Sequence, residues 1–166
     1  MKRILFVCTG NTCRSPMAEG FLRFLLEKEP ALSSRYYAAS AGISALGGDT
    51  ASREAAGAMK TDWGIDISGH CSTVLSKEHI EDSFLILTMT RSHRDNILSY
   101  YPGAADKTFT LTEYTGEKKS DPSMAQYDYS LDIPDPYGRP LRYYRQCADA
   151  IRQAVERLVE KLKKSL

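Results

Sequence analysis

Ile4-Leu5-Phe6-Val7-Cys8-Thr9-Gly10-Asn11-Thr12-Cys13-Arg14-Ser15-Pro16-Met17 is the stretch on which the fold turns. Ile4 to Val7 is an unbroken apolar run of strand-forming types, which suits a strand buried on both faces of a parallel sheet. Polar and glycine residues follow at once. Ser15-Pro16 then offers an N-cap and a proline at the first helical position, and Met17, Phe21, Phe24 and Leu25 repeat at helical spacing. The chain is thus expected to open strand, loop, helix.

The same alternation continues. Tyr36 to Ser40 is a second strand candidate ending at Ala41-Gly42, followed by a glycine-rich loop to Asp49. Ala51 to Asp62 has helix-forming composition, with Gly64 suited to the C-cap. Phe84 to Thr88 is a second buried strand, Thr90 is placed to cap a helix running to about Tyr100, and Lys107 to Thr110 is a short strand candidate. Ser120 to Pro140 carries four prolines and reads as a long loop, a type often functional in compact domains. The closing segment sets Leu141, Tyr144, Cys147, Ala148, Ile151, Val155, Leu158 and Leu162 on one stripe, the signature of a packing helix. Strands alternating with helices predict an α/β domain with a mostly parallel sheet, residues 1–166 forming one unit. Ligands of such sheets bind beyond the carboxyl ends of the strands, which directs attention to the loop after the first.

Composition narrows the function by exclusion. Among 166 residues, 22 Lys and Arg against 21 Asp and Glu leave a formal charge of +1, without the basic excess of a nucleic-acid binder. The apolar run after Lys2-Arg3 is too short for a signal sequence and no stretch is long enough for a membrane span, so a cytoplasmic protein is expected, with neither membrane nor nucleic acid as partner. Four cysteines are too few for a disulfide scaffold.

The chemistry lies in Cys8 to Ser15. A short loop between strand and helix can curl its backbone N–H groups inward, making an anion cradle over the positive helix terminus. Gly10 and Asn11 tolerate the left-handed backbone that curling needs. A cysteine in such a cradle is favoured as its thiolate, the nucleophilic form. Arg14 can hold two phosphoryl oxygens through its planar fork, and the Ser15 hydroxyl would lie near the sulfur. Thr9, Gly10, Asn11, Thr12, Cys13, Arg14 and Ser15 are therefore the expected phosphate-binding set.

A cysteine, five residues, then Arg-Ser resembles the signature of the low-molecular-weight protein tyrosine phosphatases. Ser40-Ala41-Gly42, Gly64-Ile65-Asp66-Ile67-Ser68 with His70, Thr88-Met89-Thr90 and Asp135-Pro136-Tyr137-Gly138 are similar to the family in the same order. The resemblance implies a flavodoxin-like fold, a four-stranded parallel sheet with helices on both faces, and no metal or other cofactor. It implies a phosphorylated protein as substrate, inorganic phosphate as product and Cys8, Arg14 and Asp135 as catalytic residues, Asp135 serving first as acid and then as base. Asp121, Asp128 and Asp132 are nearby alternatives; Asp121-Pro122 lacks the aromatic-glycine continuation. Tyr137 would line the pocket mouth, Ser40 and His70 would support the loop, and Cys13 is implied as a reversible disulfide partner protecting Cys8.

Thr12 bears on which phosphorylated group is taken. Tyrosine-directed members carry an apolar residue here, whereas Cys8 to Glu19 and Phe109 to Tyr114 resemble the protein-arginine phosphatase subgroup. A threonine offers a hydroxyl to a polar guanidinium leaving group where a branched aliphatic would pack on a phenyl ring. Phosphoarginine is the favoured substrate and phosphotyrosine the alternative. A thioredoxin-coupled arsenate reductase would need a further cysteine pair that Cys71 alone does not supply. A non-catalytic anion-binding module would not need an acid. A nucleotide P-loop is excluded because Gly42 to Gly47 is followed by Gly48-Asp49 with no lysine.

Overall fold

In a computed structural model, which describes residues 1–116 and 131–166, the Ile4–Val7 run forms the centre of β1 (Lys2–Cys8). This strand lies between β2 (Tyr36–Gly42) and β3 (Ser83–Thr88), and β4 (Thr108–Thr110) pairs with the far side of β3. All three pairings are parallel. The order β2-β1-β3-β4 is the flavodoxin-like arrangement: the chain leaves β1 in one direction and returns to its other side, so a switch point opens between β1 and β3.

Burial on both faces explains the unbroken apolar run. Ile4, Phe6 and Cys8 pack in one core cluster, while Leu5 and Val7 pack in another. Strand β3 divides likewise, Leu85 and Leu87 to the first and Ile86 to the second. The first cluster is closed by α1 (Arg14–Glu27), α3 (Arg53–Trp63) and α7 (Leu141–Lys163). The second receives Ile80 from α4 (Lys77–Asp82) and Ile97 from α5 (Arg91–Tyr100). Helices thus cover both faces. The short helices α2 (Pro30–Ser33) and α6 (Leu111–Thr115) and one 3-10 turn (Pro102–Ala104) complete the described elements.

Several boundaries follow the local signals. Gly64 adopts a left-handed φ of 69° at the end of α3, and the Thr90 side chain caps α5 by accepting the His93 N–H. The Thr110 hydroxyl and Glu113 carboxylate cap α6 reciprocally, a device missed because the helix is only 5 residues long. On α7 the stripe from Tyr144 to Leu162 is buried, but Leu141 is exposed and lies outside the core.

One capping assignment is corrected. Helix α1 begins two residues earlier than Ser15-Pro16 suggests, with Cys13 at the N-cap and no side-chain cap. The Ser15 hydroxyl does not cap because the loop before it claims that group.

Candidate active site

Cys8 ends β1 in register with Gly42 of β2, so the loop Thr9–Cys13 rises from the carboxyl edge of the sheet. A Cβ on Gly42 would stand 2.6 Å from the Thr9 carbonyl oxygen and 2.9 Å from the Asn11 nitrogen; only glycine lets the two chains approach this closely. The carbonyls of Cys8, Thr9 and Thr12 accept backbone N–H groups of Ile43, Ser44 and Ser52, and the Asn11 carbonyl accepts the Nε2–H of His70 at 2.8 Å. With carbonyls committed outward, the amides are the polar groups left for the concave side, as an anion cradle requires.

Asn11 holds the curve. Its φ of 56° is the only left-handed value at a non-glycine position among the described residues. Its side chain donates to the hydroxyls of Ser15 at 2.8 Å and Ser40 at 2.9 Å and accepts the Thr73 N–H at 2.8 Å. The Ser40 hydroxyl donates in turn to Glu19 at 2.5 Å. Since Ser15 Oγ accepts from Asn11, its hydrogen is left for Cys8 Sγ, 2.9 Å away. Asn11, Ser15 and Cys8 are all buried, which strengthens each bond of this chain of donors.

Arg14 is 4% exposed and donates through Nη1 to the Ile133 carbonyl at 3.0 Å. Its other arm lies 3.5 Å from Oδ2 of Asp135. The segment bearing that carboxylate is fastened at Ile133, whose N–H bonds the Met89 carbonyl, and at Asp132, which accepts the Arg91 N–H at 2.8 Å. Asp135 itself is half exposed, and its Oδ1 accepts the Tyr137 N–H at 3.1 Å. Cys8, Thr9, Gly10, Thr12, Cys13, Arg14, Asp135 and Tyr137 line one pocket of about 210 Å³, Tyr137 exposed at its mouth.

Of the loop residues expected from the sequence, Thr9, Gly10, Thr12, Cys13 and Arg14 line this pocket with Cys8, Asp135 and Tyr137, whereas Asn11 and Ser15 are buried behind it, where Ser40 and His70 brace the loop. Cys13 is buried, with Sγ 3.3 Å from the Ser52 hydroxyl. Cys147 lies in the core, where burial pushes its thiol up to about 12, and Cys71 is exposed. Among the alternative acids Asp132 is tied to Arg91, while Asp121 and Asp128 lie outside the described residues. Sequence reasoning missed Glu19 and His93. The latter is buried on α5 with Nε2 2.9 Å from Thr9 Oγ1 and Nδ1 3.0 Å from Thr90 Oγ1. The cap spacing Thr90 to His93 was its one local signal. Among the described residues no group of three His, Cys, Asp or Glu side chains is placed to hold a metal ion.

Comparison with known proteins agrees with this geometry. The family model for the low molecular weight phosphotyrosine protein phosphatases matches residues 3–166. A protein-arginine-phosphatase of Geobacillus stearothermophilus is 40% identical over 160 residues, covering 96% of this chain and 95% of that protein. A low molecular weight protein tyrosine phosphatase from T. tengcongensis is 41% identical, with a TM-score of 0.81 over 97% of this chain and 99% of the other. The structure of a YwlE arginine phosphatase, a cysteine-to-serine mutant with a phosphorylated active-site serine, is 34% identical with a TM-score of 0.83, covering 98% of this chain and 96% of its own. The fold, the cysteine–arginine loop and the near full-length match lead to one conclusion: this chain belongs to the low molecular weight phosphotyrosine protein phosphatase family.

Proposed function

We propose that the chain is a cysteine-dependent protein phosphatase that hydrolyses phosphoarginine side chains through a phosphocysteine on Cys8. The observation that carries the reading is the single pocket on which Cys8, Arg14 and Asp135 converge above the loop. The Cys8 sulfur attacks phosphorus in line as the bond from phosphorus to the leaving nitrogen breaks. Asp135 gives that nitrogen its proton, while Arg14 and the loop amides hold the equatorial oxygens. Asp135, now a carboxylate, then takes a proton from water, whose oxygen attacks phosphorus and releases inorganic phosphate. The hydrogen of Ser15 points to the sulfur and stabilises the thiolate that departs in this second step. The phosphorylated active-site serine of the YwlE mutant supports a covalent intermediate.

Thr12 in the pocket wall and the arginine-phosphatase relative support phosphoarginine as substrate. The T. tengcongensis neighbour, similar at the same level, favours phosphotyrosine as the second reading. Four free cysteines among the described residues suit a reducing cytoplasm, and no described helix is long and apolar enough to cross a membrane. Cys8 and Cys13 share one pocket, which supports their joining as a disulfide when an oxidant such as hydrogen peroxide removes two electrons and two protons.

The test compares kcat/KM on phosphoarginine and phosphotyrosine peptides for wild type, Thr12→Ile and Cys8→Ala. Cys8→Ala abolishes turnover of both. Thr12→Ile moves the preference toward phosphotyrosine by about tenfold or more. A wild type that prefers phosphotyrosine removes the arginine assignment, and residual turnover at wild-type rate in Cys8→Ala removes the covalent mechanism.

A further inference from the structure

His93 has no place in the mechanism above, yet it is a buried imidazole joined to the second residue of the phosphate loop. It is 8% exposed, whereas Thr9, its partner, is exposed at the pocket rim. An exposed threonine ordinarily exchanges rotamers, and its hydroxyl then points in no fixed direction. Here Thr9 Oγ1 is held 2.9 Å from Nε2, and Nδ1 is held 3.0 Å from the Thr90 hydroxyl, which also accepts the backbone N–H of His93 at 3.2 Å.

Two neutral tautomers satisfy these distances, and the anion chooses between them. With its hydrogen on Nε2, the ring donates to Thr9 Oγ1 and accepts the Thr90 hydroxyl at Nδ1. The hydroxyl hydrogen of Thr9 is then left for the pocket. With its hydrogen on Nδ1, Thr9 has to donate into the ring and turns lone pairs toward a dianionic phosphoryl group, which repels them. We infer that His93 is a positioning residue, which locks Thr9 so that its side-chain hydroxyl donates to the bound phosphoryl group. The neutral ring this requires is consistent with its surroundings: burial first, and then the charge of Arg14, lower its pKa to about 4, against the opposing pull of Asp132 and Asp135. Fixing the hydroxyl before the ligand arrives removes an ordering cost from binding.

The inference rests on the phosphatase reading only for turnover, because phosphate affinity can be measured without it. Thr9→Val, His93→Leu, the double variant and His93→Gln are compared by the Kd of inorganic phosphate in calorimetry, by kcat and KM on a phosphoarginine peptide, and by Tm. Thr9→Val, in an exposed loop position, keeps the wild-type Tm and provides the reading should His93→Leu fail to fold. Thr9→Val and His93→Leu each weaken phosphate binding and lower kcat/KM by about tenfold, as loss of one hydrogen bond to a charged group predicts. The double variant is no weaker than either single one. His93→Gln, whose amide N–H can reach Thr9, recovers most of the loss. A double variant whose loss is the product of the two single losses, or unaltered phosphate binding in Thr9→Val, overturns the inference. A wild type that shows the coupled pattern in phosphate binding but turns over no phosphorylated protein refutes the phosphatase reading and upholds this one.

Discussion

The two walls of the pocket are built in opposite ways. On one side the Asn11 amide is fully engaged by Ser15, Ser40 and Thr73, and His70 closes on the same residue from behind. On the other, Asp135 and Tyr137 project from a segment fastened two and three residues before Asp135, at Ile133 and Asp132; the Asp135 side chain is 52% exposed and Tyr137 as a whole 74%. On the proposed mechanism, the difference follows from what each wall has to do. A cradle that holds a dianion must not rearrange as charge moves through the transition state, so its donors are fixed by buried bonds. A carboxyl group that first gives and then takes a proton has to meet a leaving group and afterwards water, and it needs access more than enclosure.

Asp135→Asn breaks the comparison on the open side and carries the largest expected effect. The amide keeps the shape and the bond to the Tyr137 N–H but can neither protonate the leaving group nor take a proton from water. kcat on a phosphoarginine peptide falls by about 10²- to 10⁴-fold. Tm stays within about a degree or two of wild type, since a half-exposed side chain paired at 3.5 Å contributes little to stability. A full kcat in this variant removes Asp135 from the acid role, and a large loss of Tm shows that the open wall is structural after all.

On the buried side the expectation is reversed. Asn11→Ala leaves the Thr73 N–H and the Ser15 and Ser40 hydroxyls short of a partner, each costing about 1–3 kcal/mol when buried. It also puts an alanine at a φ of 56°, where the side chain crowds the backbone. Stability falls by at least about 2 kcal/mol and Tm by several degrees. kcat/KM drops about tenfold or more with it, because the cradle loses its curve. An unchanged Tm would show that the loop holds its shape without the network.

These unequal walls also explain what could be read from the sequence. Cys8, Arg14 and Ser15 were legible because a strand end, a tight loop and a helix start force neighbours in sequence to be neighbours in space. Asp135 was reached only through resemblance, since an aspartate among several in a proline-rich stretch has no local mark. The brace was legible in part: Ser40 and His70 were identified without their common partner, which the crossing of β2 and of the segment after α3 brings to Asn11. Glu19 looks from sequence like an ordinary polar position of an amphipathic helix, and its bond to Ser40 depends on the pairing of β1 with β2. Ser15 was misread as a cap because capping propensity is local, whereas the sulfur and the Asn11 amide that claim its hydroxyl are presented by the folded loop. The short helices α2, α4 and α6 carry too few turns to show a periodicity.

His93 joins the closed wall from a third direction, and its titration gives the smallest effect. The charged groups bearing on it are Arg14 of the loop and Asp132 and Asp135 of the opposite wall, and burial outweighs them to hold its pKa at about 4. In the unfolded chain the imidazole takes its proton near about 6.5. Between those two values the unfolded state binds more protons than the folded one, so stability rises with pH and acidification favours unfolding. The contribution is fully present above about pH 6.5 and is lost as pH falls toward 4. His79, lowered in the same direction by burial and by Arg3, adds to the slope but is common to wild type and variant. Tm of wild type therefore falls more steeply from pH 7 to pH 5 than that of His93→Gln, which keeps a donor toward Thr9 and has nothing to titrate. Parallel profiles would mean that His93 takes up its proton as readily in the folded protein as in the unfolded chain, and a protonated ring with hydrogens on both nitrogens could not accept the Thr90 hydroxyl.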